Sequence, residues 1–415
     1  MKRGFFVAAW FMALTALAAA QYTVDNQHCG SAHRHSPLRQ TVVVVDGGMV
    51  TRDVEGGLAV ENQEWRRFVS SFINASDPVI GQLMDARERV TIAIANADAS
   101  GLTPIFSGCV PLVSEQEARI LDEGTTAIDT FFGRDWRALN KKAADAFARS
   151  ARVAMIRGTA EAVVGAPARR GPFAQGPLVA SLRNSPGFAL SDGLVRYVIF
   201  SDLALYEALA SDAATARAHG FRDAESVALR LGRSEVHLLA NGAGAAASVG
   251  HYLDAFFLGS EAKLETLGGA SSTLSSNKIP VQVAVYQGTA DFPNIGKVPV
   301  RMRLALDRNN GVVLSWIQEQ RRFARNVPFE GVMTCPSADE CVYSGDDVFA
   351  QVWSVKSGPD PQCEGQMPWG GMRNLHFEQA GDAMEGRVSD TLCVIRDRED
   401  IGIPFSLLRL DKGQW

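Results

Sequence analysis

Four consecutive valines, Val42 to Val45, are followed by an acidic residue, Asp46. A strand that is buried on only one face alternates apolar and polar residues, whereas a continuous apolar run is typical of a strand buried on both faces. Similar runs recur along the chain, and we predict strands over residues 41–45, 90–95, 195–200 and 235–240. Such strands indicate a parallel sheet that is covered by helices on both sides.

Helical patterns lie between these runs. Ser114 and Glu117 have the spacing of a capping box, which predicts a helix that begins at Ser114. Apolar residues at helical spacing predict further helices over residues 62–73, 136–157, 178–182, 204–210, 224–231 and 249–267. The alternation of strands and helices predicts a doubly wound α/β domain over residues 41–267.

The pattern changes at residues 268–278, which are rich in Gly and Ser and are typical of a linker. Beyond them the apolar residues repeat every second position, as at Val281, Val283 and Val285. The polar turn at residues 307–311 is a hairpin signal, and strands are also predicted over residues 348–355, 385–395 and 405–410. We therefore predict a small antiparallel β domain over residues 279–415.

Four of the six cysteines lie in this C-terminal part. No two of them have the C-x2-C spacing of a zinc site, so we expect disulfides. We predict one bond from Cys335 to Cys341, across a turn that contains Pro and Asp, and a second from Cys363 to Cys393. Three pairings of these four cysteines are open, and Cys29 is a candidate partner for Cys109.

The N-terminus has the pattern of an export signal. Lys2 and Arg3 precede an apolar stretch, and small residues follow up to Ala20, where we predict cleavage. The stretch is shorter than the roughly 20 residues that cross a bilayer. We expect a periplasmic or secreted protein with a flexible mature N-terminus at residues 21–40 and no membrane span in the mature chain.

The charge of the chain argues against nucleic acid and against an anionic membrane as the main partner. The formal net charge is -5, and loss of Lys2 and Arg3 with the signal gives -5 - 2 = -7. A mildly acidic chain without a basic block does not favour nucleic acid as the partner. We expect another protein or an envelope component.

Polar residues stand at the ends of the predicted strands. Because ligands of open parallel sheets bind beyond the carboxyl ends of the strands, this edge is the predicted binding site. Its residues are Asp46, Gly47, Gly48, Asp98 and Asp202. The sequence contains no H-E-x-x-H, G-x-S-x-G or Walker A motif, and we predict no catalytic residue.

The run that ends at Asp46 and the stretch from Tyr197 to Asp202 resemble the first and fourth strands of the von Willebrand factor A domain. In that family D-x-S-x-S follows the first strand, a threonine comes from a loop, and the oxygen atoms hold a divalent cation. The resemblance covers about residues 41–267 and implies the same mostly parallel sheet. The two serine positions match Gly48 and Val50, and the threonine position falls near Gln175. Only Asp46 and Asp202 match, so we expect a degenerate cation site and no cofactor.

Three hypotheses about function remain open from the sequence. The first is an exported, non-enzymatic binding protein that presents the carboxyl edge of the sheet to its partner. The second is a periplasmic hydrolase in which Asp46, Asp98 and Asp202 hold a divalent metal ion. The third is a structural component of an envelope assembly.

The export hypothesis predicts a new N-terminus. Mass spectrometry of the exported protein is expected to find Gln21, or a residue within a few positions of it, as the first residue, because the small residues before it suit signal peptidase. An exported chain that still begins with Met1 would contradict the prediction.

Overall fold

The computed structural model describes residues 39–46, 53–55, 58–60, 88–96, 99–111, 115–124, 136–163, 173–185, 194–201, 213–232, 234–240, 247–268, 280, 282–292, 296–307, 309–319, 326–337, 340–345, 350–352, 370–391 and 401–411. The predicted helices over residues 62–73 and 204–210 lie outside these ranges, as does residue 114. The predicted signal also lies outside them, as do most of the predicted linker and nearly all of the predicted mature N-terminus.

The first half of the described chain is α/β. Its strands are β1 (Arg39–Asp46), β2 (Asp53–Glu55), β3 (Leu58–Val60), β4 (Arg89–Ala95), β5 (Leu102–Cys109), β6 (Leu194–Ser201), β7 (Ser234–Ala240) and β8 (Ala262–Gly268). Its helices are α1 (Glu115–Gly124), α2 (Trp136–Val163), α3 (Pro177–Asn184), α4 (Ala213–Val227) and α5 (Ala247–Gly259), with a short 3-10 helix at Phe173–Gln175.

Six of these strands form one sheet in the order β5-β4-β1-β6-β7-β8, and β2 pairs with β3 in a separate hairpin. Every pairing within the six-stranded sheet is parallel except that of β4 with β5. The chain builds outwards from β1 to β5, then returns to the other side of β1 as β6. The order of the strands therefore reverses between β1 and β6.

Both faces of this sheet are buried, as the valine run predicts. Val42 and Val44 point into one core with helices α3, α4 and α5, whereas Val43 and Val45 point into the other with α2. The four predicted strands are confirmed as β1, β4, β6 and β7, each extended by no more than two residues at either end. The helix predicted over residues 136–157 is confirmed as α2.

Two predicted helices need correction. Helix α4 ends at Val227, so residues 229–231 are not helical. The helix predicted over residues 249–267 is wrong after Gly259, where α5 ends, and the following residues form strand β8. Glu261 has a positive φ of 62°, which no helix allows, and turns the chain back to the sheet.

Strand β5 was not predicted, because Pro104 and Gly108 interrupt its apolar pattern. The proline is tolerated since β5 is the edge strand and its register with β4 shifts next to Pro104.

The second half of the described chain is an antiparallel β structure. Its strands are β9 (Gln282–Phe292), β10 (Gly296–Leu306), β11 (Gly311–Glu319), β12 (Asn326–Thr334), β13 (Glu340–Gly345), β14 (Ala350–Val352), β15 (Gly370–Ala380), β16 (Ala383–Thr391) and β17 (Ile401–Arg409). Apart from the short β14, each strand pairs with its neighbours in the chain, and β17 pairs with β9. Eight strands thus close into an up-and-down barrel, with β14 added to the edge of β15.

The prediction of a small β domain is therefore wrong about the extent of this structure. The hairpin at residues 307–311 is confirmed, because the carboxylate of Asp307 accepts hydrogen bonds from the backbone N–H groups of Asn309 and Gly311 at 2.8 Å each. Strand β15 has no clear alternation and was missed, and β12 contains Pro328 and Gly331. Apolar side chains of the barrel strands, such as Tyr286 and Phe377, fill its core.

One predicted disulfide is confirmed. Cys335 is bonded to Cys341 across the turn between β12 and β13. Cys109 is also disulfide-bonded. Cys363 and Cys393 lie outside the described ranges, and their pairing stays a prediction. Within the described part of the chain, no helix is long and apolar enough to cross a membrane.

Helices α4 and α5 approach each other closely at Gly220. A Cβ atom at this position would lie 2.2 Å from the carbonyl oxygen of Tyr252 and 3.0 Å from the Cβ of Ala255. The two helices are also joined by the hydroxyl of Tyr252, which donates a hydrogen bond of 2.8 Å to Asp223. Because the nearest atom belongs to the backbone, a side chain here can be accommodated only if the helices move apart.

We predict that Gly220→Ala lowers the free energy of unfolding by about 1–3 kcal/mol, since overpacking outweighs the better helix propensity of alanine. Gly250→Ala, in α5, is the matched control. Its Cβ would meet only Leu267, at 3.7 Å, so alanine is expected to be neutral or to stabilise by up to about 1 kcal/mol. Urea unfolding measures both. Equal effects of the two substitutions would contradict the packing argument.

Candidate functional site

The carboxyl ends of β1 and β6 meet where the strand order reverses. Val45 pairs with Phe200, so the last residues of the two strands, Asp46 and Ser201, lie side by side. The hydroxyl of Ser201 donates a hydrogen bond of 2.8 Å to Oδ2 of Asp46. In open α/β sheets this reversal point is where ligands bind, because the loops separate there and leave a crevice.

Asp46 is half-buried, whereas Ser201 is buried. No role is predicted for Ser201 from the sequence. Aligning the ends of the two apolar runs, residues 41–45 and 195–200, could have placed it beside Asp46. The other predicted residues of the edge, Gly47, Gly48, Asp98 and Asp202, lie outside the described ranges.

Asn96, which follows β4 at the same edge, holds a turn in place. Its side-chain oxygen accepts a hydrogen bond from Thr103 at 2.8 Å, and its amide donates one to Ser100 at 3.0 Å. Its backbone carbonyl accepts a bond of 3.1 Å from the hydroxyl of Ser181 in α3. These bonds join the turn between β4 and β5 to α3, so the role of Asn96 here is structural.

Near Gln175, where the resemblance places the threonine of the family, the residues have structural roles. Gln175 ends the 3-10 helix, and Gly176 is the N-cap residue of α3, with no side chain to cap it. Phe173, two residues earlier, packs edge-on against Phe256 at 5.1 Å between the ring centres. The described residues at this position therefore supply no hydroxyl group.

The opposite, amino edge of the sheet is filled by a buried ionic cluster. Glu88 accepts two hydrogen bonds from Arg39, at 3.1 and 2.8 Å, and a third from Arg196 at 3.3 Å. Thr41 donates to the same carboxylate and accepts from Nε of Arg196 at 2.9 Å. All four residues are at most 1% exposed.

The charges of this cluster are set by its contacts. Burial alone would raise the pKa of Glu88, but the guanidinium groups of Arg196 and Arg39 and their hydrogen bonds outweigh it and hold the pKa below the ordinary value. Burial lowers the pKa of Arg196 to about 10, which still leaves the guanidinium charged at neutral pH. The cluster therefore contains two cations that share one carboxylate.

A polar row continues from this cluster along the sheet. Arg196 pairs in register with Glu235 of β7, and Glu235 pairs with Lys263 of β8. The imidazole of His237 contacts the carboxylate of Glu235 and lies 2.9 Å from the hydroxyl of Thr266. Burial would raise the pKa of Glu235, but the bond to His237 and the nearby arginines hold it below its ordinary value.

The row ends at the barrel. The amine of Lys263 lies 2.6 Å from Glu265 in the same strand and 2.9 Å from Glu330 of β12. Burial and the neighbouring Glu330 raise the pKa of Glu265, although Lys263 acts in the opposite direction. Lys263 thus connects the two sheets through its ion pair with Glu330.

Among the residues that the structure describes, no group of three His, Cys, Asp or Glu side chains is arranged to hold a metal ion. Asp46 and Ser201 place a carboxylate and a hydroxyl side by side at the carboxyl edge. They can accept or donate hydrogen bonds to a ligand.

No protein-family model and no curated protein matches the sequence. Solved structures do match, among them one described as the crystal structure of the SpRpn10 VWA domain. The two sequences are 11% identical. The match covers 57% of this chain and 92% of the other chain, with a TM-score of 0.23.

The buried cluster predicts a strong dependence of stability on Glu88. Glu88→Gln is expected to lower the free energy of unfolding at neutral pH by about 3–5 kcal/mol, because it removes the carboxylate to which two buried guanidinium groups are hydrogen-bonded and leaves them Glu235 as a nearby counter-charge. Since the folded-state pKa of Glu88 is depressed, its stabilisation is present above the unfolded-state pKa and is lost as the pH falls through the folded-state value. Urea unfolding as a function of pH measures both effects.

The matched control is Asp122→Asn in α1. Asp122 accepts hydrogen bonds from Trp136 and Arg137 at 2.7 Å each, but the ion pair is exposed, with Arg137 61% and Asp122 41% accessible. Solvent screening limits its contribution to less than about 1 kcal/mol. If Glu88→Gln costs no more than this control, the amino edge does not depend on the ion cluster.

Proposed function

We propose that this chain is an exported binding protein, in which a von Willebrand factor A-like domain presents the carboxyl edge of its sheet to another protein or an envelope component. The residues that we assign to this edge from the sequence are Asp46, Gly47, Gly48, Asp98 and Asp202. The observation that supports it best is the hydrogen bond between Ser201 and Asp46 at the point where the strand order reverses. No enzymatic activity is included in the proposal.

The strand order supports the family part of the proposal. Counted along the chain, the strands of the sheet lie in the order third, second, first, fourth, fifth, sixth, which is a doubly wound arrangement. The first of them ends at Asp46 and the fourth ends at Ser201, directly before Asp202. These are the two positions at which the sequence resembles the family.

The contrast between the two edges supports the choice of site. At the amino edge Arg39, Glu88 and Arg196 are buried and bonded to each other, so a ligand would have to separate charged groups that are already paired. At the carboxyl edge Asp46 is only half-buried. A ligand would therefore need less free energy to occupy the carboxyl edge than the amino edge.

The test uses the mature chain as bait in an extract of the envelope from the cells that produce it. The double variant Asp46→Ala/Asp202→Ala is expected to capture at least about tenfold less of the component that the unaltered chain captures, because loss of a buried interfacial charge costs about 2 kcal/mol or more. A chelator is expected to leave capture unchanged, since the cation site is expected to be degenerate. Capture that requires a divalent ion would instead favour the metal-assisted hydrolase.

The control variant is Asp122→Ala/Asp382→Ala, which removes the same charge from two exposed carboxylates away from the edge, 41% and 80% accessible. It is expected to capture as much as the unaltered chain. Thermal unfolding shows whether each variant is folded. If the edge variant is folded and captures normally, the carboxyl edge is not the binding site. Isolation of the chain within one large stoichiometric assembly would favour the structural hypothesis.

A further inference from the structure

Helix α2 uses one face for the sheet and leaves another in solvent. Its buried residues Phe147, Ala151 and Met155 pack against β4 and β5, with the ring of Phe147 5.3 Å from that of Phe106. On the solvent side lie large apolar side chains: Leu139 is 58% exposed, Val153 47% and Ile156 53%. Three such residues on one side of one helix need an explanation beyond the fold.

The solvent side of α2 has the spacing of a coiled-coil seam. Six residues along this side of the helix are separated alternately by three and four positions, which is the pattern of positions a and d in a heptad. The residues of this seam are Leu139, Lys142, Ala146, Arg149, Val153 and Ile156. At 1.5 Å per residue the seam extends for about 25 Å, enough for a second helix to pack along it.

The charge of the seam determines what can occupy it. Between Trp136 and Ile156 the helix contains five cationic residues and one acidic residue, although the whole chain is acidic. Lys142 and Arg149 lie in the seam itself and are exposed. A second copy of α2 would bring four cations together along the contact, which opposes self-association. A helix with carboxylates at the facing positions would be attracted.

An anionic membrane is the less suitable surface. Helices that lie on a membrane bury a broad apolar face about 5–10 Å into the lipid. In α2 the broad apolar face is already packed against the sheet, and the exposed seam is interrupted by Lys142 and Arg149.

We propose that α2 docks an amphipathic, acidic helix of a partner protein along this seam, with carboxylates of the partner facing Lys142 and Arg149. Leu139, Val153 and Ile156 provide the apolar contact, and the two cations determine the register and the identity of the partner. The seam shares no residue with the carboxyl edge of the sheet, so this proposal does not depend on the proposed function.

The test measures binding of a fluorescent synthetic helix by anisotropy, with the full mature chain as the receptor. The acidic peptide carries leucine at its own a and d positions except at the two that face Lys142 and Arg149, which carry glutamate. A basic peptide carries lysine at those two positions. The unaltered chain is expected to bind the acidic peptide at least about tenfold more tightly than the basic one.

Charge reversal makes the test specific. Lys142→Glu/Arg149→Glu is expected to reverse the preference, and Arg183→Glu/Arg387→Glu, with the same change in net charge at two exposed arginines outside α2, is expected to keep it. If the reversed variant does not fold, Leu139→Gln/Val153→Gln is expected to weaken binding of the acidic peptide at least about tenfold while the charge is unchanged.

Four results would overturn the proposal: no binding of the acidic peptide, equal binding by the seam variants, dimerisation of the unaltered chain that the seam variants lose, or sedimentation with phosphatidylglycerol vesicles without binding of the peptide. Sedimentation velocity and vesicle pelleting measure the last two.

Discussion

The carboxylate of Glu88 ties the amino ends of three strands together, because it binds Arg39 of β1 and Arg196 of β6 and stands directly before β4. Two guanidinium groups buried to this degree would be strongly destabilising without a counter-charge. The cluster can be tolerated only if β1, β4 and β6 keep their register, since a shift by one residue would send the arginines to the other face of the sheet. Register at the amino end then determines which residues meet at the carboxyl end, Asp46 and Ser201 among them.

The sequence was most informative where burial is greatest. The valine run of β1 is buried on both faces, and such a run can hardly be anything but a central strand. In the α/β half the edge strands were the failures: β5 contains a proline, and β8 contains Lys263 and Glu265 beside leucines at helical spacing, so its pattern continued that of α5. An edge strand needs only one buried face, and its sequence is therefore less restricted.

The candidate sites could be predicted only in part, for the same physical reason. Asp46 follows an unmistakable strand and was found from the sequence, but its bond to Ser201 depends on the register between two strands 155 residues apart. The seam on α2 was missed because composition averages over the chain, and a net charge of -5 conceals one basic helix. Leu139 and Val153 are among the apolar residues whose spacing predicts this helix, and only the structure shows that Phe147 and Met155 occupy its buried face and leave these two exposed.

The way in which the barrel closes affects how the chain is made. Strand β17 pairs with β9, and the partners Phe405 and Ala290 are 405 - 290 = 115 residues apart. Seven of the eight strand pairings in the barrel join strands that follow each other in the chain, apart from the short β14. The eighth pairing, of β17 with β9, can form only after β17 has been synthesised. Up to that moment the meander has two open edges, which are available for pairing with other chains. Folding of this half should therefore be slow, and a chaperone that covers β9 would be of most use during that interval.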